Sequence, residues 1–161
     1  LRINFGHFDY YAGGDISGNN ADGAPDFNSI EAQIAPVVGP VDVATLNHHG
    51  NRDSQSTYFV RAVRPKVWIG QTWSSDHPGD DVLRRITSKS LYPGDRLLLA
   101  TDMLEANEMV IGERIERSYA SLHGHVVVRV ANGGDTYSIF ILNDNNSNRE
   151  IINKFGPFES R

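Results

Sequence analysis

A chain of 161 residues that is 39% hydrophobic and 22% charged has the composition of one folded domain with a real core, not of a disordered segment. Its formal charge of -5, with no block of Lys or Arg, advertises no electrostatic grip on nucleic acid, although metal ions could still hold a substrate phosphate. The absence of cysteine excludes disulfides, thiolate metal sites and a cysteine nucleophile, and is compatible with a cytoplasmic or an extracytoplasmic setting.

The apolar runs are far short of a membrane span. No signal peptide is visible, because Leu1 opens directly into a strand pattern. A first residue other than Met leads to the expectation of a processed product or an excised piece of a longer protein.

Residues 1–12 read as two short strands about Gly6-His7. A loop over 19–25 leads into a helix with Phe27, Ile30 and Ile34 on one apolar face, ended by Pro36 and Gly39-Pro40. Residues 41–46 form a near-continuous apolar run, which predicts a strand buried on both faces. A helix over 54–63 follows, capped by Asp53 or Ser54, with Phe59, Val60 and Val63 inward and Pro65 as its stop. Residues 67–72 return as a strand, and 80–88 form a helix with Val82, Leu83 and Ile86 inward. This alternation predicts a parallel or mixed sheet with crossover helices.

From about residue 94 the pattern is β-rich. Residues 96–100 form a strand, while 101–121 admit two readings: Met109-Val110-Ile111 continuing a sheet, or a short helix over 113–122. Residues 125–131 and 136–142, joined through Asn132-Gly133-Gly134-Asp135, make the clearest hairpin. Residues 143–161 read as a polar C-terminal tail, with 143–148 a solvated loop.

Three strands end in metal-type ligands or proton carriers: Gly13-Gly14-Asp15, Asn47-His48-His49-Gly50 and Ser75-Asp76-His77-Pro78. Open α/β sheets build their sites at the carboxyl ends of strands, and imidazole and carboxylate are ordinary ligands for zinc-like ions. A metal-dependent hydrolase is the first expectation. Adjacent side chains of an extended backbone point to opposite faces, so one of His48 and His49 faces the site and the other packs or orients it. His48 is assigned as a metal ligand and His49 as the catalytic proton carrier, an assignment the extended backbone alone does not fix. Asp76 is a candidate supporting carboxylate. His7, His123 and His125 are read as incidental, Trp68 as core, Trp73 as pocket wall, and Asp102 as structural, with no histidine neighbour.

In order and spacing, Gly14-Asp15, Asp42-Val43 through His48-His49-Gly50, Ala62-Val63-Arg64-Pro65, His77-Pro78 and Thr101-Asp102 resemble the C-terminal half of a metallo-β-lactamase-fold hydrolase. Among such hydrolases they are most similar to the hydrolase domain of ComEC-type competence proteins and their free-standing relatives. The resemblance covers residues 1–142. It implies half of an αββα sandwich, a mixed sheet with flanking helices and a C-terminal β-hairpin. It also implies two divalent metal ions in the intact protein, zinc first and manganese or iron as alternatives, with Asp15 bridging them and His48 and His77 as further ligands. The substrate implied is a small-molecule ester or a phosphodiester.

The family's His-x-His-x-Asp-His cluster is missing: His123-x-His125 runs on into Val126-Val127. The chain is therefore expected to lack the N-terminal half of the domain and to be inactive alone. The rival expectation is a non-catalytic binding or accessory surface domain with incidental histidines. Convergence of Asp15, His77 and one of His48 and His49 on one pocket separates the two.

Overall fold

The computed structural model describes residues 1–18 and 28–161. The loop expected over 19–25 and the helix-face residue Phe27 lie outside the described residues.

Strands β1 (Arg2–Phe5) and β2 (Phe8–Tyr11) form an antiparallel pair that turns at Gly6-His7. Helix α1 (Ile30–Val38) leads to β3 (Val43–Thr45), α2 (Thr57–Val63) to β4 (Val67–Gly70), and α3 (Asp80–Thr87) to β5 (Leu97–Ala100). Two short helices, α4 (Glu105–Ile111) and α5 (Glu113–Ser118), then lead to β6 (Tyr119–Ser121). The six strands lie in the sheet in chain order, parallel from β2 to β6. A second sheet of three antiparallel strands holds β7 (His125–Val130), β8 (Thr136–Leu142) and β9 (Ile151–Glu159).

Side-chain alternation along the central strands makes three layers. Ala44, Trp68, Leu98 and Ala100 face the helices and pack with Phe59, Val60, Val63, Val82, Leu83 and Ile86. Val43, Val67, Ile69 and Leu99 face the other way, onto Tyr137, Ile139 and Ile141 of β8. The central strands are thus covered on both faces, and their near-continuous apolar sequence follows from that. Asp42, buried at the start of β3, ties the layers: its carboxylate accepts from Asp9 N–H at 2.8 Å and from Arg161 N–H at 3.1 Å.

Several elements differ from expectation for local reasons. Helix α1 does not bury Ile30, which is 53% exposed; Glu31, Ala32, Ala35 and Val38 face inward. Pro36 does not end α1 but lies in its last turn, where the cost is one backbone hydrogen bond, and Gly39 caps it. The cap of α2 is Ser56, whose side chain accepts from Phe59 N–H, which leaves Asp53 and Ser54 for other partners. Met109-Val110-Ile111 is helical, with Met109 and Val110 exposed, so the chain past residue 94 is not uniformly β-rich. Nor is the end of the chain a plain polar tail, since Ile151–Glu159 completes the second sheet as β9. The α/β class, the mixed sheet with flanking helices and the hairpin of β7 and β8 all stand. No helix among the described residues is long and apolar enough to cross a membrane.

Candidate functional site

The loops after β2, β3 and β4 meet at the carboxyl ends of those strands. The first two are joined by Gly13 N–H to Thr45 Oγ1 at 3.2 Å and His48 N–H to Gly14 C=O at 2.8 Å. A Cβ on Gly13 would overlap the Asn47 side chain, so a glycine is required for the loops to approach this closely.

After β3 the chain forms a tight turn, Asn47–Gly50, in which His48 and His49 both take left-handed backbone angles (φ 46° and 58°). The extended backbone assumed from sequence is absent, yet the two rings still diverge. His48 Nδ1 lies 2.9 Å from Asp53 Oδ1. His49 Nδ1 lies 2.9 Å from the carbonyl oxygen of Gln71, and its Nε2 lies 3.3 Å from Asp15 Oδ1. A carbonyl only accepts, so His49 Nδ1 carries the proton of that bond. His49 Nε2 then faces a carboxylate either protonated or with its lone pair toward the same space as the Asp15 oxygen. Either arrangement calls for positive charge between them, a proton or a metal ion.

His77 completes the cluster. Its ring stacks on His49 with centroids 4.9 Å apart and planes 19° apart, and Trp73 meets both rings edge-on at 6.0 Å and 5.4 Å. His77 is only 4% exposed, and its Nδ1 is buried with no hydrogen-bond partner among the described residues. Burial lowers its pKa below the usual imidazole value, against the pull of the Asp76 carboxylate, 3.7 Å from Nε2. Ser74 Oγ fixes Asp76 by donating to it at 2.9 Å, and this hydrogen bond is the first cause of a lowered Asp76 pKa.

Asp15, His49 and His77 therefore lie together, with Trp73 as an exposed wall, while His48 turns to Asp53. Among the described residues no group of three or more His, Asp or Glu side chains is disposed to hold a metal ion as it stands. One pair went unread in the sequence. His123 Nδ1 lies 3.3 Å from Asp102 Oδ1, so Asp102 does have a histidine neighbour. An antiparallel bridge between these two residues, 21 apart in the chain, brings them together, and neither local motif announces it. Asp102 N–H also donates to Thr72 Oγ1 at 3.3 Å, which sets the pair beside the loop that carries Trp73. His7 and His125 lie exposed in the β1–β2 turn and at the start of β7, and Trp68 is core.

No family model matches this chain, and no curated protein matches it closely enough to count as a relative.

Proposed function

We propose that this chain carries half of the active site of a metal-dependent hydrolase of the metallo-β-lactamase kind, acting on an ester or phosphodiester. The observation that carries the reading is the convergence of Asp15, His49 and His77 from three strand ends. The donor set fits a zinc-like ion. His49 donates its Nδ1–H to a backbone carbonyl, the usual way a ligating imidazole is fixed in its tautomer. His77 holds an unpartnered buried nitrogen beside it.

In this reading Asp15 and His49 are ligands, and His77 is a ligand or the proton carrier to the leaving group. His48, paired with Asp53, supports the turn, so the ligand role first assigned to His48 passes to His49. Bound divalent ions, zinc first, would supply an activated water and a clamp on the substrate oxygen. The chain's own residues orient that chemistry: Gln71 C=O fixes the His49 ring, and Trp73 walls the pocket. The remaining ligands, of His-x-His-x-Asp-His type, come from a segment not present in this sequence. The exposed apolar residues Leu1, Ile3 and Phe5 of the β1 edge and Val37 of α1 are compatible with such a completing half.

The test is metal content of the polypeptide that completes the site, before and after Asp15→Ala and His49→Ala. About two zinc-like ions per chain are expected, with loss in either variant. A metal-free intact protein would overturn the reading in favour of a non-catalytic binding domain. The 161 residues alone are expected not to hydrolyse bis(4-nitrophenyl) phosphate, and robust turnover by them would overturn the half-site.

A further inference from the structure

Beneath the histidine turn lies a buried polar hub that neither the motifs nor the proposed chemistry uses. Glu31 of α1 is fully buried. Its Oε1 accepts from Asn47 Nδ2 and from Gln55 N–H, both at 2.7 Å, and its Oε2 accepts from Ser56 N–H at 2.6 Å. Those donors bracket the turn: Asn47 opens it, and Gln55 and Ser56 follow it at the entry to α2. Asn47 Oδ1 accepts in turn from the Tyr11 hydroxyl at 3.0 Å, whose pKa is pushed up to about 12, so Tyr11 remains a donor.

The same carboxyl group reaches the other loop. A Cβ on Gly18 would overlap Glu31, so the backbone just past Asp15 runs directly against it. Gly18 N–H and Asp53 C=O close the gap between the two loops. A carboxyl so placed touches the segments that deliver Asp15 and His49, and neither side chain itself.

We propose that Glu31 is the positioning residue of the site: it holds the Asn47–Gly50 turn in its left-handed form so that His49 faces Asp15 with its Nδ1 on Gln71 C=O. The use of that geometry rests on the hydrolase reading; its existence does not. Burying a carboxyl group costs several kcal/mol unless it is fully hydrogen-bonded, and a helix face needs none there for stability. Ionised, it is acceptor-only, which is what three converging N–H groups require. The isosteric Glu31→Gln brings an NH2 group that cannot accept from any of them.

The experiment is NMR of the His49 ring in the full 161-residue chain, reading tautomer and exchange of the ring N–H. Wild type is expected to show a single ring state with Nδ1 protonated and a slowly exchanging Nδ1–H. Glu31→Gln is expected to lose both, giving mixed tautomers and rapid exchange, while the dispersed amide spectrum of the sheet persists. Val63→Ala, a core truncation in α2 outside the hub, is the control. It should destabilise the fold and leave the His49 signal intact. Retention of the wild-type signal in Glu31→Gln, or equal loss in Val63→Ala, would overturn the proposal.

Should Glu31→Gln fail to fold, Asn47→Ala is read instead. It cuts the arm between Glu31 and the turn but leaves the donors at 55 and 56 in place. Loss of the His49 signal supports the assignment, and retention overturns it. The readout needs neither metal nor substrate, so failure of the hydrolase reading and failure of this one are told apart.

Discussion

The second sheet and the histidine cluster solve opposite problems. In β7 and β8 every local preference agrees with the result: β-branched and aromatic residues are abundant, burial alternates along each strand, and Gly133 and Gly134 take the positive φ angles of the turn. The inward residues Tyr137, Ile139 and Ile141 are buried at 0–1% exposure. Around His49 local preference is overruled. Two consecutive histidines are left-handed, and a carboxyl group is buried. A conformation costing roughly 1–3 kcal/mol per strained residue persists only when its surroundings over-determine it. Here a network running from Tyr11 to Ser56 does so. Regions of the first kind set stability, and regions of the second kind spend it on geometry.

The contrast is broken most severely by emptying the second sheet. Ile139→Ala removes a fully buried side chain packed on Val43, Val67, Ile69 and Leu99. It should cost about 2–5 kcal/mol in denaturant unfolding, with the His49 ring signal unchanged until the chain unfolds. A loss below about 1 kcal/mol would mean that the second sheet is not part of the cooperative unit. Gly13→Ala attacks the other region, because its methyl group meets Asn47. About 1–3 kcal/mol is expected, from overpacking, with loss of the His49 signal well below the unfolding transition. Loss of stability with the His49 geometry intact would count against the coupling of the two loops.

The same contrast decides what was legible in the sequence. Strand β3, helices α2 and α3 and the β7–β8 hairpin carry periodic apolar patterns and lie close to where those patterns put them. Helix α1 misled because its inner face carries Glu31, and a buried carboxyl group looks like a surface residue until its donors, 16 to 25 positions away, are known. Strand β9 was hidden by Gly156-Pro157, which reads as a break and is tolerated on the outer strand of a sheet. The strand-end residues Asp15, His49 and His77 were legible as a set. The division of labour within His48-His49 was not, since it depends on a left-handed turn fixed by groups elsewhere in the chain.

Acidity offers a gentler probe of the buried hub. Desolvation raises the Glu31 carboxyl above its ordinary 4.5 and outweighs the N–H groups that pull it down. The folded chain thus keeps this proton at pH values where the unfolded chain has released it. Its contribution to stability is fully present below about 4.5 and is lost as pH rises through the raised folded value. Glu31→Gln should remove that component, so the difference in unfolding free energy between wild type and variant narrows as pH rises. A difference independent of pH would mean that the carboxyl group titrates alike in both states.

The smallest effect on stability is expected at Trp73, and it is the most informative about the cluster. Trp73 is 63% exposed, so Trp73→Ala should change unfolding by no more than about 0.5 kcal/mol. Its indole nevertheless meets the rings of His49 and His77 edge-on. A protonated imidazole in contact quenches indole emission, and the other tryptophan, Trp68, is buried with its indole N–H on the Tyr92 hydroxyl, which burial keeps protonated on acidification. Emission should therefore fall on acidification. Because burial lowers the His77 pKa, a component of the fall should have its midpoint below 6.5. The lowered value also means that the unfolded chain takes up this proton first, so His77 favours the folded state above 6.5 and loses that advantage as pH falls. Loss of the emission change in Trp73→Ala and of its low-pH component in His77→Gln would assign it to this contact. A midpoint at or above 6.5 would mean that His77 is more open to water than its stacked position implies, and that the cluster is held less firmly than the sheet beneath it.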